Sequence, residues 1–222
     1  MPKTVKLDFS EKYDEQHARQ YFLKHRSGLS RRLSHHRDQQ LARRALTLAG
    51  DPGLVLDLPC GAGRFWPLLA EKPNRVIIGA DNSEAMLQTA MSAQPADVVK
   101  RVRPLQTSAF DIALPDNAVD SIFCIRLLHH IGEPAHRLAI LREFERVSRD
   151  SVIVSLWVDG NFKAWKRKRA ERKRGQKGYQ NRFVLPAVTV EEEFRQAGFR
   201  IQEQLDFLPL YAMWRVYVLR KG

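Results

Sequence analysis

One short stretch constrains the fold more than any other, the run LVLDLPCGAGRF at residues 54–65. Apolar residues surround a single aspartate, Asp57, and lead directly into a turn that contains Gly61 and Gly63. A short apolar run that ends in turn residues predicts a strand buried on both faces, and such strands occur mainly in parallel sheets covered by helices. Because ligands of such sheets bind at the carboxyl ends of the strands, we expect a small molecule to lie against the two glycines.

The glycine spacing argues against a dinucleotide-binding loop. Residues 61–66 have the pattern G-x-G-x-x-W, so the third glycine of the dinucleotide fingerprint is missing. The stretch instead resembles motif I of the class I S-adenosylmethionine (SAM)-dependent methyltransferases, usually hhDhGxGxG, where h is apolar. It departs from that motif at Pro59, which replaces the usual first glycine and offers no N–H. The resemblance implies that the cofactor is bound by Asp57, Pro59, Gly61, Ala62 and Gly63.

An acidic residue follows the next predicted strand. Residues 75–80 (RVIIGA) predict this strand, and Asp81 comes directly after it. An acid about 20 positions after a glycine loop, at the tip of the second strand, can accept hydrogen bonds from both ribose hydroxyls. We therefore predict that Asp81 and the adjacent Asn82 bind the cofactor, and that Ser83 caps the helix that follows.

Three later segments strengthen the resemblance. A third strand at about 102–107 leads to Asp111 and Ile112. In the family, the acid at this point accepts a hydrogen bond from the adenine amino group, and the next backbone N–H meets a ring nitrogen. Residues 114–120 (LPDNAVD) resemble the LPF-DNSFD signature, and residues 127–131 (LLHHI) resemble the LHHL element. With these ordered matches, the chain is identified as a member of the family.

The resemblance implies an α/β fold, a three-layer, Rossmann-like doubly wound sheet. It has seven strands in the order 3-2-1-4-5-7-6, of which the last is antiparallel. The remaining strands are expected at 121–125, 152–158, 199–207 and 211–219.

Local patterns predict the elements between these strands. Residues 64–70 predict a short helix after the glycine turn, and residues 134–147 predict a longer one. A turn is predicted at 148–151, and Thr189 with Glu192 predicts a capping box at the start of a later helix.

Length and composition predict one domain. The 222 residues, 44% apolar and 28% charged, suit a single methyltransferase domain over 1–222. Within it we predict an N-terminal helical lid over 1–50, where Tyr13 and Tyr21 either contact substrate or pack the lid onto the sheet. No stretch reaches the roughly 18 apolar residues that span a bilayer, and the N-terminus is too polar for a secretory signal. A cytoplasmic location is expected, with peripheral attachment at the inner face of a membrane left open.

The net charge of +12 is concentrated in one segment. Residues 163–177 hold nine basic residues and one acid, within a predicted insertion over 159–183 that overhangs the active site. Three interpretations stay open: a solvated surface, an arm for an anionic small molecule, lipid headgroup or membrane surface, and a nucleic-acid clamp. Trp165 is the candidate substrate contact here. RNA is an open partner, and DNA is not expected.

The predicted chemistry follows from the cofactor. A sulfonium methyl is already activated, so the protein must align it with the nucleophile, and a base is needed only if that nucleophile keeps its proton. His129 and His130 follow the fourth strand as candidate bases, although both could be structural. Arg126 is a candidate for the cofactor or for an anionic group. Residues 124–127 lack the Asp/Asn-Pro-Pro-aromatic motif, which disfavours exocyclic amines of bases and glutamine amides, and no metal-ligand spacing is visible.

The sequence thus predicts a SAM-dependent methyltransferase that acts on oxygen or nitrogen of a small or lipid-linked, anionic acceptor. Two alternatives stay open. One is an RNA methyltransferase. The other is a non-catalytic SAM-binding module that docks on RNA or an anionic membrane, which the departure at Pro59 favours.

Overall fold

The computed structural model describes residues 29–174 and 181–222. Its helices are α1 (Leu29–Leu48), α2 (Trp66–Leu69), α3 (Glu84–Ala93), α4 (Ala96–Val99), α5 (Pro134–Val147), α6 (Phe162–Arg174) and α7 (Ala187–Gln196). Its strands are β1 (Leu54–Asp57), β2 (Val76–Asp81), β3 (Val102–Gln106), β4 (Val119–Cys124), β5 (Ser148–Trp157), β6 (Phe199–Asp206) and β7 (Trp214–Lys221). A short 3₁₀ helix spans Leu128–His130. No helix of the described part is long and apolar enough to cross a membrane.

The described strands form one seven-stranded sheet in the order β3-β2-β1-β4-β5-β7-β6. Strands β1 to β5 pair in parallel, and β7 lies antiparallel between β5 and β6. The predicted strand order and the antiparallel last strand are confirmed. The carboxyl ends of β1, β2 and β4 therefore meet at one edge of the sheet, which is the edge where the sequence predicts the ligand.

The core lies on both faces of the sheet. Successive residues of a strand point to opposite faces, and in β1 Val55 packs with the cluster under α1 and α2, whereas Leu56 packs with the cluster under α5 and α7. Phe123 and Ile122 divide in the same way in β4. Because both faces are covered by helices, the central strands are apolar throughout, as the opening motif indicates.

The predicted turn at 148–151 is wrong. Strand β5 begins at Ser148, directly after α5, and its first residues form an irregular pairing with β4 between Val119 and Ser121. The Ser148 hydroxyl donates to the carbonyl of Phe144 at 2.6 Å, so one residue ends the helix and starts the strand. A polar segment without alternating apolar residues predicts a turn. Here, however, the backbone N–H and C=O groups of the segment form hydrogen bonds with the neighbouring strand β4.

The predicted capping box at Thr189 is also wrong. Helix α7 begins two residues earlier, at Ala187, and Pro186 is its N-cap without a side-chain hydrogen bond. The first-turn amide of Ala187 donates instead to the Asp159 carboxylate at 3.1 Å. Asp159 follows β5, so a distant residue satisfies a helix end that the local pattern assigned to Thr189.

A buried ion pair joins α5 to α7 and generates a prediction for folding. Arg137 donates to both carboxylate oxygens of Glu193, at 2.8 and 2.5 Å, and also to the carbonyls of Ile131 and Gly132. Because Glu193→Ala would leave a buried guanidinium without its counter-charge, we expect the free energy of unfolding to fall by about 3–5 kcal/mol in urea denaturation. Glu192→Ala, on the same helix but in an exposed pair with Arg195, is the control and should change it by less than about 1 kcal/mol. Equal effects of the two substitutions would contradict this role.

Candidate functional site

Two aspartates end neighbouring strands at the carboxyl edge of the sheet. Asp57 is the last residue of β1 and Asp81 the last residue of β2, and both are buried. The two carboxylate oxygens of Asp81 each accept a backbone hydrogen bond of 3.0 Å, one from Gly61 and one from Ser83. Asp81 therefore ties the glycine turn to the start of α3, where the Ser83 hydroxyl accepts from the amide of Met86 as predicted.

The two glycines of the turn have different roles. Both have a positive φ, 54° at Gly61 and 69° at Gly63. A Cβ at Gly61 would meet no atom within 4 Å, so the backbone there is open to a ligand. A Cβ at Gly63 would lie 2.8 Å from the Trp66 ring, so this glycine is required by packing. The helix predicted over 64–70 is reduced to the four residues of α2.

The other predicted motif I residues lie around this turn. Pro59 follows a cis peptide bond, and the next amide, of Cys60, donates to the carbonyl of Ala80 at 2.8 Å. The carbonyl of Ala62 accepts from the side chain of Gln94 at 2.8 Å. Asn82 is exposed beside Asp81. The turn is thus held to β2 and α3 by its own backbone groups.

The electrostatics of the two aspartates fit a cationic ligand. Burial raises the pKa of Asp57 well above its ordinary value, and the nearby Asp81 carboxylate raises it further. Burial also raises the pKa of Asp81, against the hydrogen bonds from the amides of Ser83, Gly61 and Asn82. Oδ2 of Asp57 has no hydrogen-bond partner among the described residues. A ligand with positive charge and hydroxyl donors would satisfy these groups, and SAM offers a sulfonium, an ammonium and two ribose hydroxyls.

The predicted adenine contacts do not fit as well. Asp111 is exposed, and the amide of Ile112 donates to the Glu143 carboxylate at 2.9 Å. For Ile112 to meet a ring nitrogen, Glu143 would have to release this amide. The residues that leave β3 beside Asp81 are Thr107, whose amide donates to the Asp81 carbonyl at 3.0 Å, and then Ser108 and Ala109. The prediction overlooked them, although their direct succession to the strand was a usable signal.

An aromatic cluster lies at the carboxyl ends of β4 and β5. We call His129, Trp157 and Trp214 the Trp–His cluster. The His129 ring centroid lies 5.1 Å from that of Trp157 and 4.8 Å from that of Trp214, and the two indoles lie 5.5 Å apart. Nδ1 of His129 and Nε1 of Trp157 are buried and have no hydrogen-bond partner among the described residues. A buried polar atom without a hydrogen-bond partner lowers the stability of the fold, and a bound ligand that forms the missing hydrogen bond would remove this cost.

Three arginines surround the Trp–His cluster. The guanidinium of Arg126 lies 5.0 Å from the ring of Trp214, and those of Arg167 and Arg182 lie 5.1 and 5.8 Å from the ring of Trp157. Arg167 belongs to the basic helix α6, and Arg182 follows it. Basic side chains of the predicted insertion therefore contact the cluster at the carboxyl edge. The arrangement favours an anionic group.

The two histidines predicted as bases have different properties. Burial, and after it the charges of His130 and the three arginines, lower the pKa of His129 to about 2, so His129 stays neutral and is a poor proton acceptor. Burial also lowers the pKa of His130. Nδ1 of His130 lies 2.5 Å from the Asn181 carbonyl, which can only accept, so this nitrogen carries the proton and Nε2 has the lone pair. The role of His130 as a base stays a prediction.

Helix α1 is joined to this edge by an ion-pair network that the sequence analysis missed. Oδ2 of Asp38 accepts from Arg64 and from Arg126, both at 2.6 Å, and Nδ1 of His35 accepts from Arg64 at 3.2 Å. A small cavity beside the network is lined by Phe65, Arg126 and Trp214 among others. Asp38 and Arg126 are 88 positions apart, so no local pattern could have paired them.

The remaining predicted substrate contacts fall elsewhere. Tyr13 and Tyr21 lie outside the described residues. Trp165 is 57% exposed on the outer side of α6, where it contacts Phe162 and Arg169, and it does not join the Trp–His cluster. Trp157 and Trp214, which the sequence analysis did not single out, form the Trp–His cluster instead.

Comparisons with known proteins agree with the geometry. A family model described as "Methyltransferase domain" matches residues 55–151. The tRNA U34 carboxymethyltransferase of Shewanella frigidimarina is 31% identical over 117 residues, which are 50% of this chain and 33% of that protein. That of Shewanella woodyi is 31% identical over 115 residues, 48% of this chain and 32% of that protein. The matched part thus spans about a third of the length of these curated relatives.

Solved structures share the whole fold at low sequence identity. Magnesium protoporphyrin IX methyltransferase from Synechocystis PCC 6803, crystallised with bound SAH, has a TM-score of 0.77 at 15% identity and covers 96% of this chain and 98% of its own. A SAM-dependent methyltransferase from Aquifex aeolicus has a TM-score of 0.65 at 21% identity and covers 95% of this chain and 100% of its own. At such identities the likeness shows the fold.

The position of Asp81 predicts the effect of its substitution. Because Asp81→Asn removes a charged acceptor and leaves one oxygen for Gly61, Ser83 and the ribose, we expect the Kd for SAM to rise about 100-fold in isothermal titration calorimetry. The matched control is Asp97→Asn, the same change at an exposed position in the first turn of α4. Tight SAM binding by Asp81→Asn would contradict the placement of the ribose.

The raised pKa values of Asp57 and Asp81 predict pH-dependent binding. A cationic ligand stabilises the ionised carboxylates, so binding near their raised pKa values releases protons, and affinity falls as the pH falls through that range. For each proton released on binding, the Kd rises by up to about tenfold for every unit by which the pH is lowered. Calorimetry in two buffers of different ionisation enthalpy would measure the release. A Kd and a heat that do not change with pH or buffer would be inconsistent with this interpretation.

Proposed function

Since this chain belongs to the class I S-adenosylmethionine-dependent methyltransferases, we propose that it transfers a methyl group to an oxygen or nitrogen of a small or lipid-linked, anionic acceptor. The observation that carries the proposal is the Trp–His cluster, in which three arginines surround two buried polar atoms without a partner in the described part of the chain. The acceptor would lie there, beside the end of β4.

The cofactor side of the site is supplied by the first two strands. Asp81 would bind the ribose, Asp57 would face the positive charge of the ligand, and the open backbone at Gly61 would lie against it. When bound, SAM supplies a methyl group on a sulfonium sulfur, which needs no further activation. The protein's task is then to hold the acceptor in line with this methyl group and to exclude water.

The Trp–His cluster suits an anionic acceptor for two reasons. The N–H of Trp157 can donate to an acceptor oxygen. Arg126 shares the single carboxylate of Asp38 with Arg64, so this group keeps a net positive charge that would offset the negative charge of the acceptor. In addition, His129 is too weak a base to take a proton, since its pKa is lowered to about 2. An acceptor oxygen that is already deprotonated, such as that of a carboxylate, needs no base and fits best. For a hydroxyl or amine, Nε2 of His130 is the remaining candidate.

Methyl transfer to RNA is the second candidate. The relatives from Shewanella carry names that refer to tRNA U34, and the basic helix α6 could contact phosphates. The third hypothesis, a SAM-binding module without catalysis, depends on Pro59. The turn around Pro59 is held by hydrogen bonds from its own amides, which argues against a degenerate site.

Transfer of a labelled methyl group tests the proposal. The purified protein would be incubated with deuterated-methyl SAM and, separately, with small acidic metabolites, with a lipid extract and with total tRNA, and the label would be located by mass spectrometry. We expect label in the first or second pool. Label in tRNA alone would replace the proposal by the second candidate, and SAM binding without any label would favour the third.

One substitution tests the acceptor site separately. Trp157→Phe keeps an aromatic ring and removes the N–H, so kcat/KM for the identified acceptor should fall about tenfold while the Kd for SAM stays the same. Trp165→Phe, on the outer side of α6, is the matched control and should leave both unchanged when the acceptor is presented in detergent. Loss of SAM binding by Trp157→Phe would place this side chain in the cofactor site instead.

A further inference from the structure

The exposed apolar side chains of this protein are concentrated at one place. Five of the eight large apolar side chains that are exposed in the described part of the chain lie together at the start of α6 and in the loop between β6 and β7. We call this group the apolar tip. It consists of Phe162, Trp165, Leu208, Leu210 and Tyr211. An apolar patch of this kind, bordered by polar residues, marks a surface for a partner or a membrane.

The apolar tip is a rigid unit built from two distant segments. The first amides of α6, those of Phe162 and Lys163, donate to the carbonyls of Leu210 and Tyr211 at 2.9 and 3.0 Å. The rings of Phe162 and Tyr211 are stacked with centroids 5.9 Å apart. The turn that presents the leucines is closed by two amides that donate to the Leu208 carbonyl. The loop therefore caps the basic helix, and both present one continuous surface.

Leu210 at this turn is unusual in conformation and exposure. Its φ is 59°, a left-handed value that a bulky side chain rarely adopts. Its side chain is 83% exposed, more than any other large apolar side chain in residues 33–171 and 181–222. Neither feature stabilises the isolated fold, because the backbone is strained and the side chain gains no burial. Burial of the leucine against a partner would account for both.

Basic side chains surround the apolar tip. Lys163 lies over the ring of Tyr211 at 5.1 Å, and Arg169 lies over the ring of Trp165 at 5.5 Å. Together with Lys166, they form no ion pair with any described residue, in contrast to Arg167 and Lys168, which pair with Glu171 and Asp159. The outer side of α6 thus presents cations and apolar groups together, without the carboxylates that compensate its inner side.

We propose that the apolar tip docks on an anionic membrane surface, with Leu208 and Leu210 inserted among the acyl chains. Trp165 and Tyr211 would lie at headgroup level, where amphipathic aromatic rings are favoured, with the Phe162 ring stacked on that of Tyr211. Lys163, Lys166 and Arg169 would contact the lipid phosphates. Nucleic acid fits this surface less well, since bases stack on aromatic rings and guanidinium groups but gain little from two aliphatic side chains at the most prominent position.

Docking would place the Trp–His cluster near the membrane. The inner side of α6 contacts that cluster through Arg167, while its outer side carries the apolar tip. A lipid-linked acceptor would then approach the cluster with its anionic group first. This use of the surface rests on the proposed function, whereas the docking itself does not.

Vesicle sedimentation tests the docking. The full chain would be mixed with vesicles of phosphatidylcholine alone or of phosphatidylcholine and phosphatidylglycerol in equal parts. We expect binding to the anionic vesicles that weakens as NaCl is raised, and little binding to the neutral ones. Equal binding to both, or to neither, would overturn the proposal. Competition with total tRNA gives a second test. The proposal would also be overturned if tRNA displaced the protein from the anionic vesicles at a lower competitor concentration than added anionic vesicles do.

Leu210→Asn is the sharpest variant, because asparagine tolerates the left-handed backbone and removes only the apolar side chain. It should fold at least as well as the natural chain and weaken binding to anionic vesicles about tenfold. Val188→Asn, at another exposed apolar position, is the matched control and should bind normally. Unchanged binding by Leu210→Asn would overturn the insertion. SAM affinity and methyl transfer in detergent, measured on the same variants, distinguish a failure of docking from a failure of the proposed function.

Discussion

The buried carboxylate of Asp81 is the interaction on which the candidate site depends. It accepts one hydrogen bond from the amide of Gly61, after β1, and one from the amide of Ser83, after β2. These two bonds fix the glycine turn relative to β2 and α3. The same carboxylate lies close enough to Asp57 to raise its pKa. Two buried acids near each other oppose folding at neutral pH, because each ionised form disfavours the other. The fold tolerates this cost at the place where a cation would remove it, which is the physical reason for assigning the cofactor there.

The parts of the molecule that could be predicted from the sequence are those that local pattern decides. The strand at Leu54, the glycine turn and the acid after the second strand are each written within a few neighbouring residues, and their parallel pairing brings them to one edge. The sheet order followed from the resemblance to a known family. Where the pattern was local but the structure uses a distant partner, prediction failed. The start of α7 is the clearest example, since its first amide is satisfied by Asp159 and not by Thr189.

The Trp–His cluster, which we propose as the acceptor side of the site, could not be predicted for the same reason. Trp157 and Trp214 face each other because β5 pairs with β7 antiparallel, in the register that places these two residues opposite one another. A shift by one residue would turn one of the indoles to the other side of the sheet. Asp38 likewise meets Arg64 and Arg126 only once α1 lies over the strand ends. None of these contacts has a signature in the chain. The aromatic residue that composition made conspicuous, Trp165 in the basic segment, lies outside the cluster.

Helix α6 connects the two surfaces through its periodicity. Residues three or four positions apart on a helix lie on one side, so Ala164 and Arg167 face the body of the protein, and Phe162, Trp165 and Arg169 face outward. The basic residues of α6 are therefore divided between its inner and its outer side, and the net charge of the segment alone does not reveal this division. On the inner side, cations lie over the indole of Trp157 or pair with Asp159 and Glu171. On the outer side no described acid pairs with the cations, and together with the apolar tip they form a surface whose chemistry matches an anionic membrane interface. This division of the basic residues argues against the interpretation of the basic segment as a merely solvated surface.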